Sequence, residues 1–350
     1  MHHGGDIYRN KVRLDLSVSL NPLPVPQVLS DAMQAGCAAA GAYPDPEQEA
    51  LRAVLAAGMG VDPACVIAGN GASELLLAAV QAVNPVKALL VEPCFSGYRY
   101  VLDSLQGCQV REYRMREEEE FAPAERMLLT LTSDLDLILL ADPGNPAGRN
   151  IDPALLRQIL RVARDNGTAV ILDQSFYLLS AQGRAGGNNP AVLTGVFRNL
   201  IVVSSFTKVL GLPGIRMGAA VSSAENAERI RARLPEWNVS SVAEHVMRAG
   251  ADLLWKSSFC KDAWEMIRTE KEYLVPALES LGCRVYPSDT HYLLFQSSGE
   301  LYGPLLERGI LIRDCSDFCG LSTGFYRIAV RDHAANEEFV ENLKEVMHGH

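Results

Sequence analysis

No stretch of this sequence reaches the roughly 18 uninterrupted apolar residues of a membrane span. The opening MHHGGDIYRN has neither the basic segment nor the apolar core of a secretory leader, so a cytoplasmic protein is expected. Positive charge is also in short supply. With 32 Lys and Arg against 42 Asp and Glu, the net charge of -10 argues against nucleic acid or an anionic membrane as the main partner, which would need clustered cations. Small-molecule chemistry becomes the expected class. The eight cysteines contain no CxxC pair and no recurring spacing, which predicts reduced, mostly buried thiols. In CSDFC, Cys315 and Cys319 could share a helical face, but no His or Cys pair nearby completes a tetrahedral set, and no metal is expected. There is no internal repeat, and the one charge run, REEEE at 116–120, reads as a solvated loop or helix start.

What the sequence does have is alternation. KALLVEP, LDLILLADP, TAVILD and NLIVVSS are short, branched-aliphatic and closed by a polar or turn residue, as strands buried on both faces are. Between the second and third lies DPALLRQILRVARDNG, where Asp152 can cap, Pro153 suits the first helical position and Gly167 stops the helix. That is a β-α-β unit. GNGASELLLAAVQAVN reads as a helix entered through a glycine-rich turn after the small strand CVIAG, so its first turn is a candidate anion site. From about residue 240 the pattern changes to long helices such as KDAWEMIRTEKEYLVPALESLG, then to the strands THYLLF, GILIRD and FYRIAVR. The expected fold class is α/β: a mostly parallel sheet sandwiched by helices in a large domain (39–240), plus a smaller α+β domain (241–350) to which an N-terminal arm (1–38) contributes.

In open α/β sheets, ligands sit beyond the carboxyl ends of the strands, so the polar residues that end these strands should converge. They are Asp173 after TAVIL, Asn145 after LILLADPG, Ser205, Thr207 and Lys208 after LIVVS, and Gly71, Ala72 and Ser73 after CVIAGN. A carboxylate, an amide, a lysine, hydroxyls and a phosphate-type turn suit a phosphorylated aromatic cofactor that forms an imine, which is pyridoxal 5'-phosphate. Lys208 would hold it as a Schiff base. Asp173 would keep its ring nitrogen protonated so that the ring can act as an electron sink. Ala72, Ser73, Ser205, Thr207 and Arg216 would hold the phosphate. A nicotinamide enzyme of similar sheet architecture is disfavoured, because GNGAS lacks the GxGxxG spacing and no acidic strand end follows at the proper distance.

Taken together and in their order along the chain, NPAG, VILDQSF and SSFTKVLGLPGIRMG resemble the Asn-Pro-x-Gly turn, the aspartate strand and the lysine signature of fold-type I pyridoxal phosphate enzymes, aminotransferase class I/II. The resemblance runs from about Leu14 to Leu343. It implies further roles. Phe95 in EPCFSGY would stack on the cofactor ring, Asn145 would bond the ring hydroxyl, and Arg327 in FYRIAVR would clamp the carboxylate of an amino acid substrate. Tyr43 in AYPDP would reach the phosphate across the interface of a homodimer with shared active sites.

Two branches of the family look similar, those of histidinol-phosphate aminotransferase and of the threonine-phosphate decarboxylase of cobamide synthesis. Arg313 in GILIRDCSDF matches the arginine that binds a distal substrate phosphate in both. The elements HGGDIYRN, LDLSVSLNPL and ILIRDCSDFCGL…FYRIAVR lean towards the decarboxylase, as does Phe176, where many aminotransferases have tyrosine. Asn21 and His3 are further candidate substrate contacts. Pro24, Gln174 and His291 depart from the family's usual residues. Lys208, Asp173 and Arg327 can serve either reaction, with the Lys208 amine as proton carrier. A non-catalytic cofactor-binding module is the alternative of another class, against which stands the lack of a helix-turn-helix or basic segment before residue 40.

Overall fold

The computed structural model describes residues 4–184 and 189–348. Among them run the strands β1 (Leu14–Asp15), β2 (Val66–Gly69), β3 (Lys87–Glu92), β4 (Gln109–Arg114), β5 (Leu137–Ala141), β6 (Ala169–Asp173), β7 (Leu200–Ser205), β8 (Gly218–Val221), β9 (Arg284–Val285), β10 (Tyr292–Gln296), β11 (Ile310–Leu311), β12 (Arg313–Asp314) and β13 (Phe325–Ala329). The large sheet has the order β2-β8-β7-β6-β5-β3-β4, and only β8 runs against the rest. The period of two along each strand divides its side chains between two cores. Leu89, Val91, Ile138, Leu140, Val170 and Leu172 enter one, while Leu90, Leu139, Ile171 and Ile201 enter the other. Helices therefore cover both faces, and the strands read as continuous apolar runs.

The helix Pro153–Asp165 illustrates how local sequence builds these layers. The Asp152 carboxylate accepts from the Ala154 and Leu155 amides at 2.8 and 3.0 Å, and Pro153 occupies the first turn. Leu155, Leu156, Ile159, Leu160 and Ala163 recur at helical spacing and are buried against the sheet. Each such large side chain contributes about 1.5–3 kcal/mol by burial. The chain leaves the helix through Gly167 at φ +76°, a conformation that favours glycine.

A second sheet, β12-β13-β10-β9, is antiparallel, and beside it β1 pairs with β11 in parallel. Leu14 and Leu16 thereby join Leu274, Phe295, Ile328 and Phe339 in one core, tying the N-terminal segment to the C-terminal one. The helix Ser241–Trp255 packs on Gln27–Ala38 and shares a core with Val66, Phe206 and Ala219, so the packing of the large sheet continues past residue 240. GILIRD, read above as one strand, is two. Ile310–Leu311 pairs with β1, then after Ile312 the chain changes partner and Arg313–Asp314 pairs with β13. Among the described residues no helix is long and apolar enough to cross a membrane.

Cysteine burial differs from expectation. Cys94, Cys283 and Cys315 are buried, Cys37 is exposed and the other four are intermediate, because most of them lie on the rims of cores.

Candidate active site

Parallel strands bring their carboxyl ends to one rim, and here Ala141 of β5 is in register with Asp173 of β6. The loops leaving β5, β6 and β7 therefore start side by side. They carry Asn145, Asp173, Phe176, Ser205, Thr207 and Lys208 into one cavity of about 340 Å³. The start of the helix Ala72–Val83 adds Ala72 and Ser73, the loop after β3 adds Phe95, and the loop before β8 adds Arg216. From the second sheet come Arg313 and Arg327. Twelve of the sixteen expected residues thus line one space, and Gly71 stands just behind it against Arg216.

Asp173 is buried, and burial pushes its carboxyl up from the ordinary value. Hydrogen bonds from the Ser175 side chain, the Tyr98 hydroxyl and the Ser175 amide oppose that. Ser175 N donates to Oδ1 at 2.8 Å and the Tyr98 hydroxyl donates to Oδ2 at 2.8 Å. A carboxylate held in this way, facing the cavity, suits a cationic ring nitrogen. Lys208 is pushed down to about 8, first by burial, then by the charges of Arg327 and Arg216, with Asp173 acting the other way. A neutral amine is accordingly accessible near neutrality, which nucleophilic attack on an aldehyde requires.

At the start of the helix Ala72–Val83 the chain turns through a conformation that favours glycine. Gly71 sits at φ +82° beside Arg216, and a Cβ there would lie 2.5 Å from Arg216 Nη2. Arg216 itself has φ +56°, and its Nη1 donates to Pro213 O at 3.1 Å. Ser205 Oγ and Thr207 Oγ1 are 2.8 Å apart. Backbone donors at a helix start, paired hydroxyls and a guanidinium fit a phosphate dianion. The residues present therefore fit pyridoxal 5'-phosphate.

Arg327 is buried, with its Nη1 donating to Asn145 Oδ1 and its Nη2 donating to Ser17 O at 2.9 Å. One side chain of the second sheet thus holds both the loop that leaves β5 and the segment that follows β1. Phe176 packs against Tyr292 and His291, with ring centroids 5.1 and 5.3 Å away. Burial drives His291 down to about 3, so it is neutral at physiological pH.

The other expected residues stand apart from this cavity or outside the described residues. Asn21 does not line the cavity: its Nδ2 donates to Val209 O at 2.8 Å, its Oδ1 accepts from Leu23 N, and its backbone amide donates to Lys208 O. It fastens the backbone beside Lys208, because a buried polar side chain must satisfy its hydrogen bonds where it lies. Tyr43 is 82% exposed and packs on Trp237 with tilted rings whose centroids are 5.0 Å apart, outside the cavity of its own chain. His3 lies outside the described residues.

Other residues escaped the sequence reading. Tyr98 sits three positions after Phe95, in edge contact at 5.7 Å, and helical spacing would have placed it there. Tyr292 bonds Gly144 O at 2.7 Å, holding the loop that carries Asn145. Gly4, Ser17, Ser19 and Phe318 also line the wall. A second cavity of about 340 Å³ shares Ser175, Phe176 and Ser205 with the first, but Met59, Phe206 and Trp255 wall it, and it holds neither Lys208 nor Asp173.

Similarity to known proteins agrees with this geometry. The aminotransferase class I and II family matches residues 11–343. Threonine-phosphate decarboxylase of Salmonella typhimurium is 31% identical over 341 residues, covering 96% of this chain and 92% of that protein. Histidinol-phosphate aminotransferase of Methanosphaera stadtmanae is 27% identical over 315 residues, covering 87% and 82%. The fold is that of the crystal structure of histidinol-phosphate aminotransferase from Clostridium acetobutylicum, with a TM-score of 0.87 at 24% identity, covering 96% of this chain and 100% of that one.

Proposed function

The chain belongs to the aminotransferase class I and II family, enzymes that use pyridoxal 5'-phosphate, and from that membership we propose that it acts on a small phosphorylated amino acid, as a threonine-phosphate decarboxylase-like enzyme. The observation that carries the substrate reading is the pair Arg313 and Arg327, directly opposite each other on β12 and β13 and both lining the cavity. A substrate with an anion at each end matches them. The relative that shares 31% identity over 96% of the chain supports decarboxylation.

In this reading Lys208 is the covalent anchor, and Asp173, held by Tyr98 and Ser175, keeps the positive charge on the ring nitrogen. The phosphate would rest on Gly71, Ala72, Ser73, Ser205, Thr207 and Arg216, while Phe95 would stack on the ring and Asn145 would meet its hydroxyl, with Phe176 lining the same cavity. When bound, the cofactor supplies an electron sink for the pair left at the substrate α carbon. The chain's own part is positional. Arg327 grips the α-carboxylate with its planar fork and so sets which bond at that carbon stands over the ring, while Lys208 Nζ carries a proton to or from the same carbon. A homodimer in which Tyr43 reaches the neighbouring site belongs to the same proposal, supported by the exposed Tyr43–Trp237 pair.

The second reading is a histidinol-phosphate type aminotransferase, favoured by the relative at 27% identity. Incubating the holoenzyme with O-phospho-L-threonine separates the two. Carbon dioxide released without any added keto acid supports the decarboxylase; stoichiometric keto acid product, with a requirement for 2-oxoglutarate, replaces it with the aminotransferase.

A further inference from the structure

Arg313 and Arg327 are direct partners in the β12–β13 ladder, each 7% exposed, and both face the cavity. Like charges placed opposite one another are unfavourable unless each meets an anion. The two are compensated differently. Among the described residues no carboxylate pairs with Arg327, whose partners are the neutral oxygens Asn145 Oδ1 and Ser17 O. Arg313 instead pairs through Nη2 with Asp317 Oδ1 at 2.7 Å, donates through Nη1 to Asp314 O, and lies with its guanidinium carbon 4.9 Å from the centre of the Phe318 ring. The cavity therefore offers one uncompensated cation, suited to a full negative charge, and one cation whose charge is already balanced.

We propose that Asp317 is a specificity-determining residue: by pairing with Arg313 it makes the distal end of the cavity accept a singly charged group in preference to a doubly charged one. The inference rests on the reading that Arg313 meets the far end of the substrate. Burying each added charge requires a counter-charge, and Asp317 already shares the one Arg313 supplies. A phosphate monoester gains its second negative charge near pH 6, whereas a sulfate ester of the same shape stays singly charged. The other charged and titratable groups around Arg313 are Asp314 and Cys315 on its own segment, Arg327 on β13 and Tyr302 on the helix Tyr302–Glu307, with Asp6 near Tyr302 and Asp15 near Arg327. A sulfate ester measured in parallel experiences all of them equally, so the ratio of the two affinities isolates the second charge.

The test uses 3-(phosphonooxy)butanoate and 3-(sulfooxy)butanoate, which keep both anionic ends but lack the amine and cannot react. Their binding to holoenzyme is measured by calorimetry at pH 5.5 and pH 8. The wild type should bind the phosphate ester less well, relative to the sulfate ester, at pH 8 than at pH 5.5. Asp317→Asn should shift that ratio towards the phosphate by about tenfold at pH 8, as unmasking a charge partner does, and little at pH 5.5. Asp317→Glu should keep the wild-type ratio, which separates loss of charge from loss of structure. An Asn variant with an unchanged ratio at pH 8, while both esters bind, overturns the role of Asp317 and leaves the substrate reading standing. Failure of both esters to bind either protein overturns the substrate reading, and this inference with it.

Discussion

Tyr98 donates its hydroxyl hydrogen to Asp173 Oδ2 at 2.8 Å, across 75 residues of sequence and with both groups buried. The bond favours the ionised carboxylate at a place where burial favours the neutral one. Tyr98→Phe removes one hydrogen bond to this carboxylate, leaves those from the Ser175 side chain and amide, and keeps the ring volume. A hydrogen bond to a charged group contributes about 1.5–3 kcal/mol, so cofactor affinity should fall by about 10- to 100-fold. Absorbance titration of apoenzyme with pyridoxal 5'-phosphate measures it, and unchanged affinity would separate Asp173 from the cofactor.

Gly71→Ala places a Cβ 2.5 Å from Arg216 Nη2 at a residue with φ +82°. The backbone strain should cost about 1–3 kcal/mol of stability. Displacement of the guanidinium should also weaken inorganic phosphate binding to the apoenzyme, as calorimetry would record. A variant that loses stability but binds phosphate as before would remove Arg216 from the phosphate site.

The Lys208 amine is held near 8 rather than 10.5, so its neutral, nucleophilic form grows in as pH rises through about 8. The rate at which apoenzyme turns yellow with the cofactor should climb through that range and then level off. Arg327→Met removes one neighbouring positive charge and should move the midpoint upward. A rate still rising in parallel with an ordinary lysine would contradict the environment described here.

Asp142 lies one residue beyond β5, with Oδ1 bonded to Asn150 Nδ2 at 2.7 Å and to the Ile151 amide at 3.0 Å. Burial raises its carboxyl from 3.8 to about 6, with Asp289 acting in the same direction. A carboxyl raised on folding gives stability that is complete below its unfolded value of about 3.9 and is lost as pH rises through about 6. Asp142→Asn does not ionise. Between pH 4 and pH 8 its stability should therefore improve relative to wild type by about 2–3 kcal/mol, since a tenfold change in proton affinity on folding corresponds to about 1.4 kcal/mol. Denaturant unfolding at the two pH values reads the difference, and a constant offset would refute the assignment.

The sheet and the cofactor end were legible because a parallel sheet makes local rules sufficient. Short branched-aliphatic runs give strands, and their polar ends, from Asn145 to Lys208, must meet at one rim. What the sequence hid depended on partners far along the chain. The change of sheet at Ile312 is a tertiary event, and without it GILIRD is a single strand and Arg313 has no defined direction. Asn21 lies in LDLSVSLNPL and reads as a substrate contact, yet its side-chain amide is used by the backbone at Val209, 188 residues away. Tyr98 was within reach of sequence reasoning through its spacing from Phe95, whereas its bond to Asp173 was not.

The account depends most on Lys208, and borohydride reduction of the holoenzyme tests it directly. Digestion and mass spectrometry should find the cofactor fixed on the peptide containing Lys208, with no adduct in Lys208→Ala. A cofactor fixed to another lysine, or none retained after reduction, would contradict it.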